Sequence, residues 1–163
     1  VIVSKKFELY KFKKISEILN PGDCLIVNDT KVLPGMFSGM LNKKKIYFTL
    51  NENLKNRFFP IWEVFAKPLK KIKIGDEVNF TKHIKGTVVK INKETKVGLA
   101  NIKFNCSPTE FRKFLNKNAS LALPNYITKK RKLNDTDYKN YQTIFARKTG
   151  AIAAPTALSL IHI

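Results

Sequence analysis

From Met36 to about Asn105, apolar and polar residues alternate with a period of two, and no long helical pattern interrupts them. Residues 46–50, 62–66, 77–80, 86–91 and 99–104 each read as a short strand with one buried face. Turn-forming clusters separate them: Asn51-Glu52-Asn53, Lys67-Pro68, Ile74-Gly75-Asp76 and Asn92-Lys93-Glu94. Five or six short strands at this spacing predict a small antiparallel barrel or sandwich. Such a unit is mostly locally paired and can fold by itself.

The flanks have a different grammar. Residues 8–19 place Phe12, Ile15, Ile18 and Leu19 at helical spacing, and Asn20-Pro21-Gly22-Asp23 stops that helix. Cys24-Leu25-Ile26-Val27 is a continuous apolar run, which predicts a strand buried on both faces. The polar quartet Asn28-Asp29-Thr30-Lys31 follows at once. After a buried strand this is where α/β folds place ligand groups, and it is equally the composition of a capped turn. Beyond the strands, Ser107-Pro108-Thr109-Glu110 is built to start a helix, with Phe111, Phe114 and Leu115 as its apolar face. Residues 123–127 read as extended, and Asp135-Thr136-Asp137 as the cap of a helix-like run carrying Tyr138, Tyr141 and Gln142. The expected fold class is therefore mixed α/β and β: an incomplete α/β domain, residues 1–37 and 107–163, with a β-barrel domain inserted at 38–106.

The chain of 163 residues carries a formal charge of +19. That charge suits contact with nucleic acid. It is also what an AT-rich genome writes into any protein, since Lys far outnumbers Arg and both Asn and Ile abound. The cluster Lys129-Lys130-Arg131-Lys132 is either a solvated loop or an RNA contact. No run approaches the roughly 18 apolar residues that cross a bilayer, and no export signal is visible at Val1, so a cytoplasmic protein without a membrane partner is expected. Two isolated cysteines, Cys24 and Cys106, suit a reducing compartment and suggest neither a disulfide frame nor a metal site. His83 and His162 have no evident ligand partners.

Residues 141–157, Tyr-Gln-Thr-Ile-Phe-Ala-Arg-Lys-Thr-Gly-Ala-Ile-Ala-Ala-Pro-Thr-Ala, do not look like ordinary core. Small residues fill the second half, where a backbone or a flat ligand could approach closely. There is no phosphate loop, dinucleotide turn or nucleophile elbow.

Four segments together resemble one family. Residues 22–34, Gly-Asp-Cys-Leu-Ile-Val-Asn-Asp-Thr-Lys-Val-Leu-Pro, are similar to its GD-apolar-NDTRV-P stretch. Trp62, Lys67-Pro68 and Lys73-Ile74-Gly75-Asp76-Glu77 resemble its barrel pattern. Leu123-Pro124-Asn125-Tyr126-Ile127 resembles LPPYI, and Tyr141-Gln142-Thr143 with residues 150–157 resembles YQTVYA…GAVAAPTA. The family is the S-adenosylmethionine:tRNA ribosyltransferase-isomerase of queuosine biosynthesis, and the motifs run in its order over nearly the whole chain. The resemblance implies an α/β domain with an inserted barrel. It implies transfer and isomerisation of the ribosyl moiety of S-adenosylmethionine onto 7-aminomethyl-7-deazaguanine in tRNA, giving epoxyqueuosine and releasing adenine and methionine. S-adenosylmethionine is then a co-substrate, tRNA the partner, and no metal is required.

That chemistry needs a proton acceptor, because the sulfonium acidifies the adjacent C5′ hydrogens and the attacking amine must be neutral. Asp29 is the candidate base or cation-orienting carboxylate. Asn28, Thr30 and Lys31 are candidate substrate contacts beside it. Gly150, Ala153 and Pro155 would form a wall for the purine, with Gln142, Thr143 and Thr156 at its polar edges and Tyr141 as a further candidate substrate contact. Lys129, Lys130, Arg131 and Lys132 are the candidate RNA contacts.

Departures from the family pattern are specific. Lys31 replaces an Arg and loses bidentate geometry. Gly35-Met36 stands where the family tends to have Ala-Arg, and Asn125 replaces a Pro. After Ala157 the pattern Gly-Leu-His-Phe-Thr gives way to Leu-Ser-Leu-Ile-His-Ile. The chain is accordingly read as a fragment from a split or decaying gene, inactive alone, its absent half a candidate partner chain. A non-catalytic basic tRNA-binding module and a gene remnant are the alternatives.

Overall fold

The computed structural model describes residues 11–56, 58–92 and 98–153. A 3₁₀ turn, Phe12–Lys14, leads into the short helix α1 (Ile15–Ile18). Strand β1 (Thr30–Val32) precedes six strands: β2 (Met36–Leu41), β3 (Lys44–Asn53), β4 (Ile61–Lys67), β5 (Glu77–Asn79), β6 (Lys85–Asn92) and β7 (Leu99–Phe104). These six close into a barrel in the order β2-β3-β4-β7-β6-β5, with antiparallel neighbours throughout. Closure removes the exposed edges that a six-stranded open sheet would leave.

The period-two pattern is what closes it. Ile46, Phe48 and Leu50 of β3, Val64 of β4, Val78 of β5, Val88 of β6 and Ala100, Ile102 and Phe104 of β7 all point inward and are fully buried or nearly so. Each large apolar side chain placed there contributes about 1.5–3 kcal/mol relative to an exposed one. Glycines make room for the largest rings. A Cβ at Gly39 would lie 2.8 Å from the Phe80 ring, and one at Gly86 would lie 2.8 Å from it on another side. Phe80 in turn packs edge-on against Phe37 and Phe48. Strand β2 keeps the period-two burial but is not among the strands expected above, because Gly39 occupies one of its inward positions where an apolar side chain would mark it.

Helix α2 (Pro108–Asn118) closes one end of the barrel. Ser107 and Glu110 form a reciprocal capping box: the Ser107 Oγ accepts from the Glu110 N–H at 3.2 Å, and Glu110 Oε2 accepts from the Ser107 N–H at 2.8 Å. The cap fixes where the helix begins, and therefore which face carries Phe111, Phe114 and Leu115 into the barrel core. Phe104 and Phe111 pack as tilted rings with centroids 4.4 Å apart.

After α2 the chain returns to the barrel entrance. Met36 and Ser120 exchange backbone hydrogen bonds of 2.9 and 2.7 Å. Short helices α3 (Asn125–Thr128) and α4 (Asp135–Asn140) follow, then strand β8 (Lys148–Ala151), which pairs parallel with β1. Val32, Leu121 and Leu123 form a second small core, backed by Ile127, Leu133, Tyr141 and Ala151.

Several local expectations are corrected. Cys24-Leu25-Ile26-Val27 is not a strand: Leu25, Ile26 and Val27 are 46%, 91% and 41% exposed. A strand buried on both faces needs neighbours on both sides, and β8 reaches β1 only from Thr30 onward. The quartet Asn28–Lys31 thus opens a strand instead of following one. Residues 125–128 form a helical turn where an extended segment was expected. Helix α4 is capped by Asn134, not by Asp135, and ends before Tyr141 and Gln142. Of the expected helix at 8–19, residues 8–10 lie outside the described residues, and the rest is divided between the 3₁₀ turn and α1.

Candidate functional site

Strands β1 and β8, more than a hundred residues apart in sequence, build the site. Thr30 lies opposite Lys148, Lys31 opposite Thr149, and Val32 opposite Ala151. So short a parallel pair is marginal by itself, and side chains fasten it. The Gln142 amide spans Val32: its Oε1 accepts from the Val32 N–H at 2.8 Å and its Nε2 donates to the Val32 carbonyl at 3.0 Å. Thr143 Oγ1 donates to the Asn28 carbonyl at 2.8 Å. The Tyr141 hydroxyl donates to the Ala122 carbonyl at 3.1 Å. Gln142, Thr143 and Tyr141, all candidate substrate contacts in the sequence, are bonded to backbone here.

The clamp positions a turn. Asn28 Oδ1 accepts from the Thr30 N–H at 2.9 Å, an Asx turn that wraps the backbone around Asp29. The Asp29 carbonyl accepts from the N–H groups of Arg147 and Lys148 at 2.7 and 3.0 Å. With its main chain held from both sides, Asp29 presents its carboxylate beside the Lys148 ammonium, Nζ to Oδ2 3.4 Å. Both groups meet solvent, so the pair adds little stability and its consequence is local charge. Asp29, Arg147, Val27 and Phe145 line a cavity of about 410 Å³. A carboxylate there can accept a proton or face a cation, and the Arg147 guanidinium suits a planar anion. Sequence reasoning nominated neither Arg147 nor Lys148. Their place three and two residues before Gly150, inside the same motif, was the available signal.

The other nominated residues are dispersed. Lys31 is exposed on β1 and Gly150 exposed on β8. A Cβ at Gly150 would meet only the Thr30 methyl, at an ordinary 3.6 Å, so close approach does not explain that glycine. Ala153 is exposed, and Pro155 and Thr156 lie outside the described residues. In the basic cluster, Arg131 is committed to structure. It grips Asp137 through both carboxylate oxygens, at 2.7 and 2.6 Å. Asp137 is buried and also caps Asn134. The guanidinium and the Asn134 N–H hold its carboxyl down at about 2. Lys129, Lys130 and Lys132 are exposed.

Residues 2–160 match the family model described as a queuosine biosynthesis protein. The chain belongs to that family. Among curated relatives of this queuosine family, the S-adenosylmethionine:tRNA ribosyltransferase-isomerase of Roseobacter denitrificans is 33% identical over 144 residues, covering 85% of this chain and 40% of the relative. That of Ruegeria pomeroyi is 34% identical over 153 residues, covering 89% and 42%. A solved S-adenosylmethionine tRNA ribosyltransferase from Thermotoga maritima is 27% identical, with a TM-score of 0.43, covering 66% of this chain and 35% of that one. The chain thus spans about two-fifths of the length of the curated queuosine-family relatives it matches. Among its described residues no helix is long and apolar enough to cross a membrane.

Proposed function

We propose that this chain is part of an S-adenosylmethionine:tRNA ribosyltransferase-isomerase and that the Asp29 turn handles the S-adenosylmethionine end of the reaction. The observation that carries the proposal is the carboxylate of Asp29, held by its own backbone at the mouth of a cavity shared with Arg147. The chemistry matches in kind. A sulfonium is a cation that a carboxylate complements, and the methionine end offers a carboxylate that a guanidinium complements. Val27 and Phe145 supply apolar walls for the thioether carbons.

In this reading Asp29 takes the proton released beside the sulfonium, and Lys148 moderates the charge it carries. Asn28 and Thr30 fix the turn. Gln142, Thr143 and Tyr141 are positioning residues: they hold β1 against β8 and so set where Asp29 points. The ribosyl acceptor is the aminomethyl group of a 7-deazaguanine in tRNA, which places the reaction in the cytoplasm. Adenine and methionine leave, and epoxyqueuosine remains in the tRNA.

The test is to follow tRNA- and S-adenosylmethionine-dependent adenine release by a polypeptide of the relatives' full length that contains this sequence. Adenine release together with epoxyqueuosine in the tRNA supports the proposal. Binding of tRNA without either product favours instead a basic RNA-binding module, the reading suggested by the charge of +19.

A further inference from the structure

A second cleft, of about 270 Å³, runs between the barrel wall, the first half of α2 and β8. Its aromatic side is formed by Trp62, half-buried, and Phe111, buried, with ring centroids 6.2 Å apart. Lys55 and Arg112 line it and are exposed, and no Asp or Glu does. Among the described residues neither cation has an ion-pair partner.

The loop above the cleft also offers donors. Asn53 Oδ1 accepts from the Lys55 N–H at 3.0 Å, and Asn56 Oδ1 accepts from the N–H groups of Phe58 and Phe59 at 2.9 and 3.0 Å. Those bonds shape the loop through the amide oxygens, and among the described residues the NH₂ groups of both side chains have no hydrogen-bond acceptor. Two cations, two amide donors and an indole face form a set that complements a flat π-system carrying an anion. A cationic sulfonium is the wrong charge for it.

We propose that this cleft is a subsite for one nucleotide of single-stranded RNA, its base on Trp62 and its phosphate on Arg112 and Lys55. The proposal rests on the tRNA reading above and adds where a nucleotide beside the reacting base is held. The volume lies just under the roughly 300–1,000 Å³ of sites for drug-sized ligands, which fits a single nucleotide and not a stacked run. Thr149 and Gly150 line the same cleft, and β8 joins it directly to the Asp29 turn. A nucleotide seated here would therefore be read by the strand that holds the reaction site.

Trp62 is the only tryptophan of the chain, so its emission reports the cleft directly. The experiment titrates the 163-residue chain with a short single-stranded oligoribonucleotide, with S-adenosylmethionine as the second arm. The expected result is a saturable, salt-sensitive change in Trp62 emission with the oligonucleotide. Arg112→Ala should weaken it about tenfold and lower the salt slope by about 0.7. Lys55→Ala, on an exposed loop, should act in the same direction, and Lys90→Ala on the far strand β6 should not. Unchanged emission while filter retention still registers RNA binding would overturn the subsite and leave the tRNA reading intact. A response to S-adenosylmethionine but not to the oligonucleotide, or equal affinity with Arg112→Ala, would also overturn it.

Discussion

The side-chain amide of Gln142 makes two hydrogen bonds to the backbone of Val32, which is paired with Ala151 on one side, and so takes the place of a second neighbouring strand. It is the tightest statement of how the site is built, because Val32 follows the Asp29 turn by three residues and has the smaller core beneath it.

Gln142→Leu keeps the bulk and leaves the half-buried Val32 N–H and carbonyl without partners. The expected cost is about 1–3 kcal/mol, read as a shift of the urea midpoint at constant m-value. Wild-type stability for this variant would mean that the amide is not holding β1.

Gly35 and Ile152 are fitted to one another. A Cβ on Gly35 would lie 2.8 Å from Ile152 Cγ2, so Gly35→Ala overpacks the joint between the barrel entrance and β8. The expected cost is about 1–3 kcal/mol. Ile152→Ala removes Cγ2, the atom that a Gly35 Cβ would meet, and from a half-buried position is expected to cost about 2 kcal/mol alone. The double variant should be more stable than the sum of the two predicts, with a coupling of about 0.5 kcal/mol or more.

The Arg131–Asp137 pair sets a pH dependence with a defined sign. The carboxyl of Asp137 titrates at about 2 when folded, below its ordinary 3.8. Its contribution to stability is therefore complete above about pH 4 and is lost as the pH falls through about 2. Arg131→Ala should flatten the stability profile across that window, because the larger cause of the depression is gone. The check is denaturant unfolding of both proteins between pH 2 and 5. An unchanged slope in the variant would show that the pair is not linked to folding.

The two cysteines should differ in reactivity. Cys24 is exposed, whereas Cys106 is buried in the barrel core and its thiol is pushed up to about 11, mainly by burial. A thiol reagent at pH 8 is expected to modify one cysteine rapidly and the second only in denaturant. Rapid modification of both in buffer would contradict the packing of α2 on the barrel.

The barrel was legible in the sequence because its information is local: a period of two, turn residues at short intervals, and a capping box before α2. The site was legible only as a motif. Gln142, Thr143 and Asn28 stand out within their motifs, but the bonds that Gln142 and Thr143 make lie more than a hundred residues distant, which composition and spacing do not encode. The apolar run Cys24–Val27 misled for the same reason, since apolarity states a need for neighbours and not whether the described residues supply them. Arg131 reads in the sequence as one charge of a basic run, and its pairing with Asp137 is visible only in the fold. The cleft beside Trp62 draws from β3, β4, α2 and β8 and has no contiguous pattern to find.

The measurement that bears most directly on the whole account is turnover of Asp29→Ala in a polypeptide of the relatives' full length containing this sequence. Adenine release with tRNA and S-adenosylmethionine should fall by about 10²-fold or more, while the circular dichroism and the affinity for tRNA stay as in the parent. Near-parental turnover would contradict the assignment of the Asp29 turn as the proton-accepting end of the site.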